Sequence, residues 1–375
     1  MKSCLVIIVV TFLLFSAHTL KAQNFELLDA PATPSLLSDK GVLIDVLHAE
    51  QKFIALGERG HIVQWQANRP LVQESTPVSV TLTAIAQLDQ QGMVAVGHDG
   101  VILTRDADST EWQKRFDGYA LSRLMVERLR QQLSERQAAL EAASDPYEQD
   151  ELAFLVEDTE FALEDAELEL AQGPNKPLLD VISIGDKIIA IGAYGIILVS
   201  EDRGANWSLQ NQLVDNPDKF HLNAITRDAQ NNLFIVGENG LGFASYDQGE
   251  SFEVMELPYY GSFFGISAAP NSPHLVAFGL KGNIAISPDR GLNWQLLKSP
   301  SQVSLLGADI NEDGTVYLVG HGGVILSFVL NAQQDIKIQR HPSGASLAGV
   351  VAPNSQESPL TLVGQFGISQ IMLAN

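Results

Sequence analysis

Residues 188–207 read IIAIGAYGIILVSEDRGANW. Ile188–Ile191 and Ile196–Val199 are short, β-branched and bounded by turn residues, so they read as consecutive antiparallel strands. Gly192 and Gly195 flank a tight turn between them, where backbone with a positive φ is expected. A polar loop follows, Ser200-Glu-Asp202-Arg-Gly204-Ala-Asn-Trp207. It recurs as Ser245-Tyr-Asp247-Gln-Gly249-Glu-Ser-Phe252 and as Ser287-Pro-Asp289-Arg-Gly291-Leu-Asn-Trp294. Three near-copies of one eight-residue loop mark a repeat protein.

The Gly-x-x-Gly turn appears at Gly57/Gly60, Gly97/Gly100, Gly192/Gly195, Gly237/Gly240, Gly279/Gly282, Gly320/Gly323 and Gly364/Gly367. Successive first glycines lie 40, 95, 45, 42, 41 and 44 residues apart by subtraction. The outlier holds one period plus an insertion of roughly 50 residues, and the others match the spacing of propeller blades. Each copy has the order strand, polar turn, strand, glycine turn, strand, polar loop, strand. The expected fold is all-β, a seven-bladed β-propeller with an inserted antiparallel α-helical hairpin. Blades 1 and 2 fall in 23–118, the hairpin in 119–172 and blades 3 to 7 in 173–375. The seventh copy stops after its third strand near Leu373. Asn24–Pro31 (NFELLDAP) resembles Ser251–Pro258 (SFEVMELP), so it is expected to supply the closing strand of blade 7 and remove an open edge.

The insertion differs in kind. Val126, Leu129, Leu133 and Leu140 form one helical stripe interrupted by Arg136. Leu152, Val156, Thr159, Leu163, Ala166 and Leu170 form a second. Pro146 suits the first turn of the second helix and Gly173-Pro174 ends it. The segment from Tyr119 to Gln172 carries 14 acidic residues against 4 arginines and no lysine. Such an arm is either a solvated hairpin packed on itself or a partner-binding arm. Because it adds nothing to a propeller core, the second reading is preferred.

The 375-residue chain is 45% hydrophobic with a formal net charge of −22. That is ample for a large core, and the charge disfavours nucleic acid and anionic membrane surfaces as partners. Residues 1–22 read as a secretory signal peptide, with Lys2, an apolar run from Leu5 to Phe15 and Ala22 before Gln23. Cys4, the one cysteine, would leave with it, so stability must come from packing without disulfides. A bacterial periplasm fits best.

The repeated loop is the Asp-box of sialidase-type sequences. Ser200, Asp202, Gly204 and Trp207, then Ser245, Asp247, Gly249 and Phe252, then Ser287, Asp289, Gly291 and Trp294 are read as structural. Their oxygens bond loop amides, the glycine takes a left-handed turn and the aromatic packs at the blade edge. Thr104–Trp112 looks like a degenerate copy. A sialidase-like site would need an arginine cluster, a nucleophilic tyrosine and an acid. Arginines are sparse in the blades, and none recurs on a first strand. Scattered histidines show no metal-ligand spacing, and Asp309–Gly314 lacks the downstream glutamate of a calcium loop. No catalytic residue, metal or cofactor is expected.

Topology carries more. Glycine turns and blade-to-blade connections share one face of a propeller, Asp-box loops the other. The hairpin is a blade-to-blade connection, so it should rise from the glycine-turn face. Candidate partner-binding residues there are His98, Tyr194, Phe220, His221, Tyr259, Tyr260, His321 and Phe366, because exposed aromatics anchor interfaces. Phe263 and Phe264 read as the buried start of an inner strand.

The Gly-x-x-Gly-x-Ile-x-x-Ser-x-Asp-x-Gly-x-x-Trp blocks at 192–207 and 279–294 resemble those of the photosystem II stability/assembly factor family of seven-bladed propellers. The resemblance covers the mature chain except Tyr119–Gln172. It implies a non-enzymatic, exported scaffold that helps assemble or stabilise a membrane protein complex, such as an export pump of the resistance–nodulation–division type. The alternative is a carbohydrate-active or glycan-binding propeller, which would show clustered carboxylates or arginines at the central channel.

Overall fold

The computed structural model describes residues 26–49, 51–66, 69–89, 92–107, 109–330, 335–353 and 358–373. The expected signal peptide lies outside them. Seven antiparallel sheets follow one another along the chain, six of four strands and the last of three. Their innermost strands begin at Leu43, Leu82, Leu178, Leu222, Phe263, Leu305 and Leu347. Neighbouring inner strands pack side by side around the ring, the seventh against the first. The fold is the expected seven-bladed propeller.

Strand alternation explains why the ring closes. In the second strand of blade 3, Lys187–Gly192, Ile188 and Ala190 face the core shared with blade 2, while Ile189 and Ile191 face the core shared with blade 4. Both faces of a blade are therefore apolar, and a blade cannot stand alone. The buried side chains divide into seven clusters, one at each blade-to-blade interface.

The glycine turn has the expected positive φ, at Tyr194 (φ 59°) and Gly195 (φ 71°), while Gly192 itself is extended (φ −167°). Gly192 is required for space: a Cβ there would sit 2.4 Å from the Pro177 carbonyl oxygen. That close approach accompanies a β-bulge in the inner strand, where Leu178 pairs with Gly192 and Asp180 with Ile191, leaving Leu179 unpaired. All seven inner strands carry this bulge one residue from their start.

The closing strand is a correction. Asn24 and Phe25 of the expected strand lie outside the described residues; among the described residues the seventh sheet has three strands, and residues 26–31 do not join it. They lie instead against the link between blades 1 and 2. Ser79 N–H donates to the Leu27 carbonyl (2.8 Å), Ala32 N–H donates to the Thr76 carbonyl (3.1 Å), and Leu28 is buried in the shared core of those blades. The resemblance to Ser251–Pro258 was to packing, not pairing. In blade 4 only Glu253–Val254 is strand, while Met255 and Leu257 plug the cleft to blade 5 as Leu28 and Ala30 plug theirs. The ring closes through side chains, with Leu43, Val46 and Val63 packed against Val351 and Val363, and through one bond from Ile368 N–H to the Asp39 carbonyl.

The insertion forms two antiparallel helices, α1 (Gly118–Ala142) and α2 (Pro146–Gln172). Asp117 caps α1 by accepting from Ala120 N–H. Asp145 caps α2, Pro146 opens it, and Gly173 (φ 101°) ends it. The seam buries Val126, Thr159 and Ala166. Arg136, the polar break in the first stripe, bonds across it to the Leu155 carbonyl and the Thr159 hydroxyl. No helix among the described residues is long and apolar enough to cross a membrane.

Candidate functional site

The three Asp-boxes are structural in detail. In each, the serine hydroxyl accepts the glycine N–H at 2.8 Å. The aspartate accepts the N–H two residues before the aromatic position's successor, from Asn206, Ser251 or Asn293, at 2.8 to 3.0 Å. The Trp207 and Trp294 indoles return a bond to the glycine carbonyl, both at 3.1 Å. Bonds from the Ser251 hydroxyl and N–H hold Asp247 at about 2. In the degenerate copy Trp112 is buried and donates instead to Glu74 (2.5 Å). Asn311 and Asp313, in the faint calcium-like loop, both accept from Thr315 N–H within their own turn.

The hairpin root sits on the glycine-turn face. Gly118, opening α1, packs so tightly on the turn of blade 2 that a Cβ would meet the Asp99 carbonyl oxygen at 2.5 Å. Leu121 is buried in the core of blades 2 and 3, with Leu124 and Met125 packed against it. At the other end, Lys176 is buried beside α2 and reaches Glu169 at 2.5 Å. Its ammonium also lies 5.1 Å above the Tyr194 ring. Tyr194 and His221 rings are 5.0 Å apart, and His221 Nδ1 is 2.7 Å from Glu238. A continuous cluster thus runs from the end of α2 across the turns of blades 3 and 4. Burial pushes the Glu238 carboxyl up, but bonding from the His221 backbone and ring, with its charge, outweighs this and holds it below the usual range.

Of the eight residues singled out from sequence, the structure brings together Tyr194 and His221. Phe220, next to them, is half-buried, its backbone tethered at both N–H and carbonyl by Asn216. Tyr260 is exposed, but Tyr259 is corrected: its ring turns inward, edge-on to Phe263 at 5.9 Å. His98, His321 and Phe366 are exposed on the turns of blades 2, 6 and 7 and do not join the cluster. Lys176 and Glu238 were missed. Lys176 joins the cluster through Glu169 on α2 and Tyr194 on the turn of blade 3, Glu238 through His221, and nothing in their local sequence marks them.

The central channel was expected, but the residues that line it were not identified from sequence. Its lining draws on all seven inner strands around a cavity of about 450 Å³. The unpaired bulge residues Ile44, Thr83, Leu179, Asn223, Phe264, Leu306 and Ala348 all line it. Because each bulge sits beside a glycine turn, this ring lies towards the hairpin face, and five of its seven side chains are apolar. Phe263 is buried as expected, while Phe264 faces the channel. Asp45 and Asp180 lie here too. Each spends one oxygen on its neighbour's N–H and the other on the next blade's inner strand, Ile85 N–H at 2.9 Å and Ile225 N–H at 2.8 Å respectively. Asp309 repeats the device between blades 6 and 7 through Ala352 N–H at 2.8 Å. These carboxylates are struts between blades. Burial, helped by the charge of Asp45, pushes Asp180 up to about 7 against the lowering effect of the two N–H bonds. No arginine lines the channel.

No family model and no curated protein matches the sequence. Solved structures do. The chain is similar to YCF48 bound to a D1 peptide (14% identity, TM-score 0.57, covering 90% of this chain and 95% of that one). It is also similar to YCF48 from Cyanidioschyzon merolae (12%, 0.56, 90% and 97%). The WD40 propeller domain of Doa1 aligns over 93% of this chain and 96% of its own at 10% identity and a TM-score of 0.59. At these identities the likeness is one of fold.

Proposed function

We propose that this chain is an exported, non-enzymatic propeller that holds a segment of a membrane protein complex on its hairpin-bearing face, in a bacterial periplasm. One observation carries the reading: exposed and half-buried aromatic and apolar side chains gather on that face, at the channel mouth, at Tyr260 and in the Tyr194–His221 cluster at the hairpin root. Interfaces are anchored by such residues with polar groups around them, and Lys176 and Glu238 supply the polar partners. The fold likeness to YCF48, whose structure holds a D1 peptide, supports a peptide-holding use of such a propeller. Export pumps of the resistance–nodulation–division type are the complexes to which the family resemblance points. A carbohydrate-active propeller would use free carboxylates or an arginine clamp. Here the channel carboxylates are engaged by backbone amides on both oxygens.

The test is affinity capture from detergent-solubilised envelopes with the full chain and with the triple substitution Tyr194→Ala, His221→Ala, Tyr260→Ala. Loss of two aromatic anchors and of the histidine packed on Tyr194 is expected to reduce recovery of the co-purifying membrane subunits by about tenfold or more. Equal recovery with folded protein would remove this face from the function.

A further inference from the structure

The hairpin buries one side of α2 against α1 and leaves the other without a partner. On the seam side Leu152, Val156, Thr159, Leu163, Ala166 and Leu170 are buried or half-buried. On the opposite side, about half a helical turn away, stand Tyr147, Phe154, Phe161 and Leu168. They are 87%, 68%, 61% and 56% exposed and fall at intervals of seven residues. Single exposed apolar side chains need no explanation. Four large ones in heptad register along one face do, since phenylalanine favours a helix less than alanine or glutamate does.

The spacing between them is equally regular. Asp150-Glu151, Glu157-Asp158 and Glu164-Asp165 occupy the midpoints of the three intervals. All six carboxylates are exposed, and the ion pairs of α2 among the described residues involve only Glu167 and Glu169. α2 has ten acidic residues and no basic one. Like charges three or four residues apart destabilise it. A cationic partner would relieve that penalty.

We propose that this face of α2 is a docking seam for an amphipathic helix of a protein partner, apolar at heptad spacing and carrying lysine or arginine between. This deepens the scaffold reading above and rests on it, since it names a second contact made by the same hairpin-bearing face. Charge selects the occupant. A second copy pairing through α2 would set acid against acid. The outer side of α1 lacks exposed large apolar residues to offer a second copy instead. An anionic lipid surface is repelled by the same carboxylates.

The probe is a synthetic helix of about three heptads, leucine at every seventh position and Lys-Arg pairs midway, beside an otherwise identical peptide with Glu-Glu pairs. Fluorescence anisotropy with the full exported chain should show binding of the basic peptide. Its affinity should fall about tenfold or more in Phe154→Ser/Phe161→Ser, and severalfold between about 50 mM and about 500 mM salt. The acidic peptide should bind at least tenfold more weakly. Both substituted positions are exposed, so the thermal midpoint should stay unchanged. Equal binding of the two peptides, no binding of either, or indifference to the double substitution overturns the proposal. So does a chain dimer, or binding to phosphatidylglycerol vesicles, that the double substitution abolishes. If peptide binding fails while the Tyr194/His221/Tyr260 triple variant still loses membrane subunits, the seam falls alone. If peptide binding holds while that variant captures normally, the assembly reading falls alone.

Discussion

At the scale of single residues, Asp180 shows how a side chain can look catalytic and be architectural. It is a half-buried carboxyl in the channel, pushed up to about 7 mainly by desolvation, which is where a general acid would be poised. Its oxygens, however, accept from Val181 and Ile225, so its work is to tie blade 3 to blade 4. The raised value has a signed consequence. A folded-state value above the ordinary value of 3.8 means that the native chain holds a proton which the unfolded chain has released between pH about 4 and 7. Stability from this site is therefore present at the acid end of that window and is lost as pH rises through it. Asp180→Asn cannot titrate and keeps one carbonyl acceptor. Thermal denaturation from pH 4.5 to 7.5 should show a shallower decline in the variant than in the native chain. Some decline remains, since burial also raises Asp45 and Asp309. Identical slopes would mean that Asp180 is ionised throughout.

At the scale of elements, what was legible in the sequence was what repeats. The glycine turns, the Asp-box loops and the strands between them follow from local chemistry copied several times, and each copy checks the others. The hairpin was legible from its two stripes and from Pro146 and Gly173-Pro174. The β-bulge was not, because the extra residue (Leu179, Asn223 or Phe264) shares no side-chain type and its effect is felt only when Gly192 and its equivalents press against the preceding connection. Lys176 was illegible for another reason. Its partners Glu169 and Tyr194 are near in sequence, but on a helix end and a turn whose juxtaposition only the ring imposes. The Asp-box gives a direct test of element-level energetics. Ser287 is fully buried, and its hydroxyl accepts from Gly291 N–H (2.8 Å) and donates to Asp289 (2.9 Å). Ser287→Ala strands that N–H inside the loop, and urea denaturation should register a loss of about 1–3 kcal/mol. Leu292→Ser, at an exposed position of the same loop, should fall within about 0.5 kcal/mol of the native chain. Equal losses would show that the loop's side-chain bond is dispensable.

At the scale of the whole molecule, the ring is closed by cores rather than by a shared strand, and the N-terminal segment has a different task. Resemblance between residues 24–31 and 251–258 suggested pairing, because pairing is the commoner use of an apolar-alternating stretch. Residues 26–31 instead fill the gap between blades 1 and 2, as Met255 and Leu257 fill that between blades 4 and 5 beyond the short paired strand Glu253–Val254. Leu28 is 1% exposed at the interface of blades 1 and 2. Lys114 holds the segment through the Leu28 carbonyl and Asp29, while Tyr119 at the hairpin root donates to Glu26. The plug therefore couples the N-terminal segment, the first two blades and the base of α1, whereas blade 7 rests on blade 1 through Val351 and Val363. Leu28→Ala should cost about 2–5 kcal/mol, the range for emptying a packed leucine site. Hydrogen exchange on a chain lacking residues 26–32 then decides between plug and strand. If the segment is a plug, protection falls at Ser79, whose N–H loses the Leu27 carbonyl, and along the neighbouring inner strand Leu82–Gln87, while Gly367–Ile371 at the outer edge of blade 7 keeps its native protection. The opposite pattern, deprotection confined to Gly367–Ile371, would return the segment to the seventh blade and reinstate closure by a shared strand.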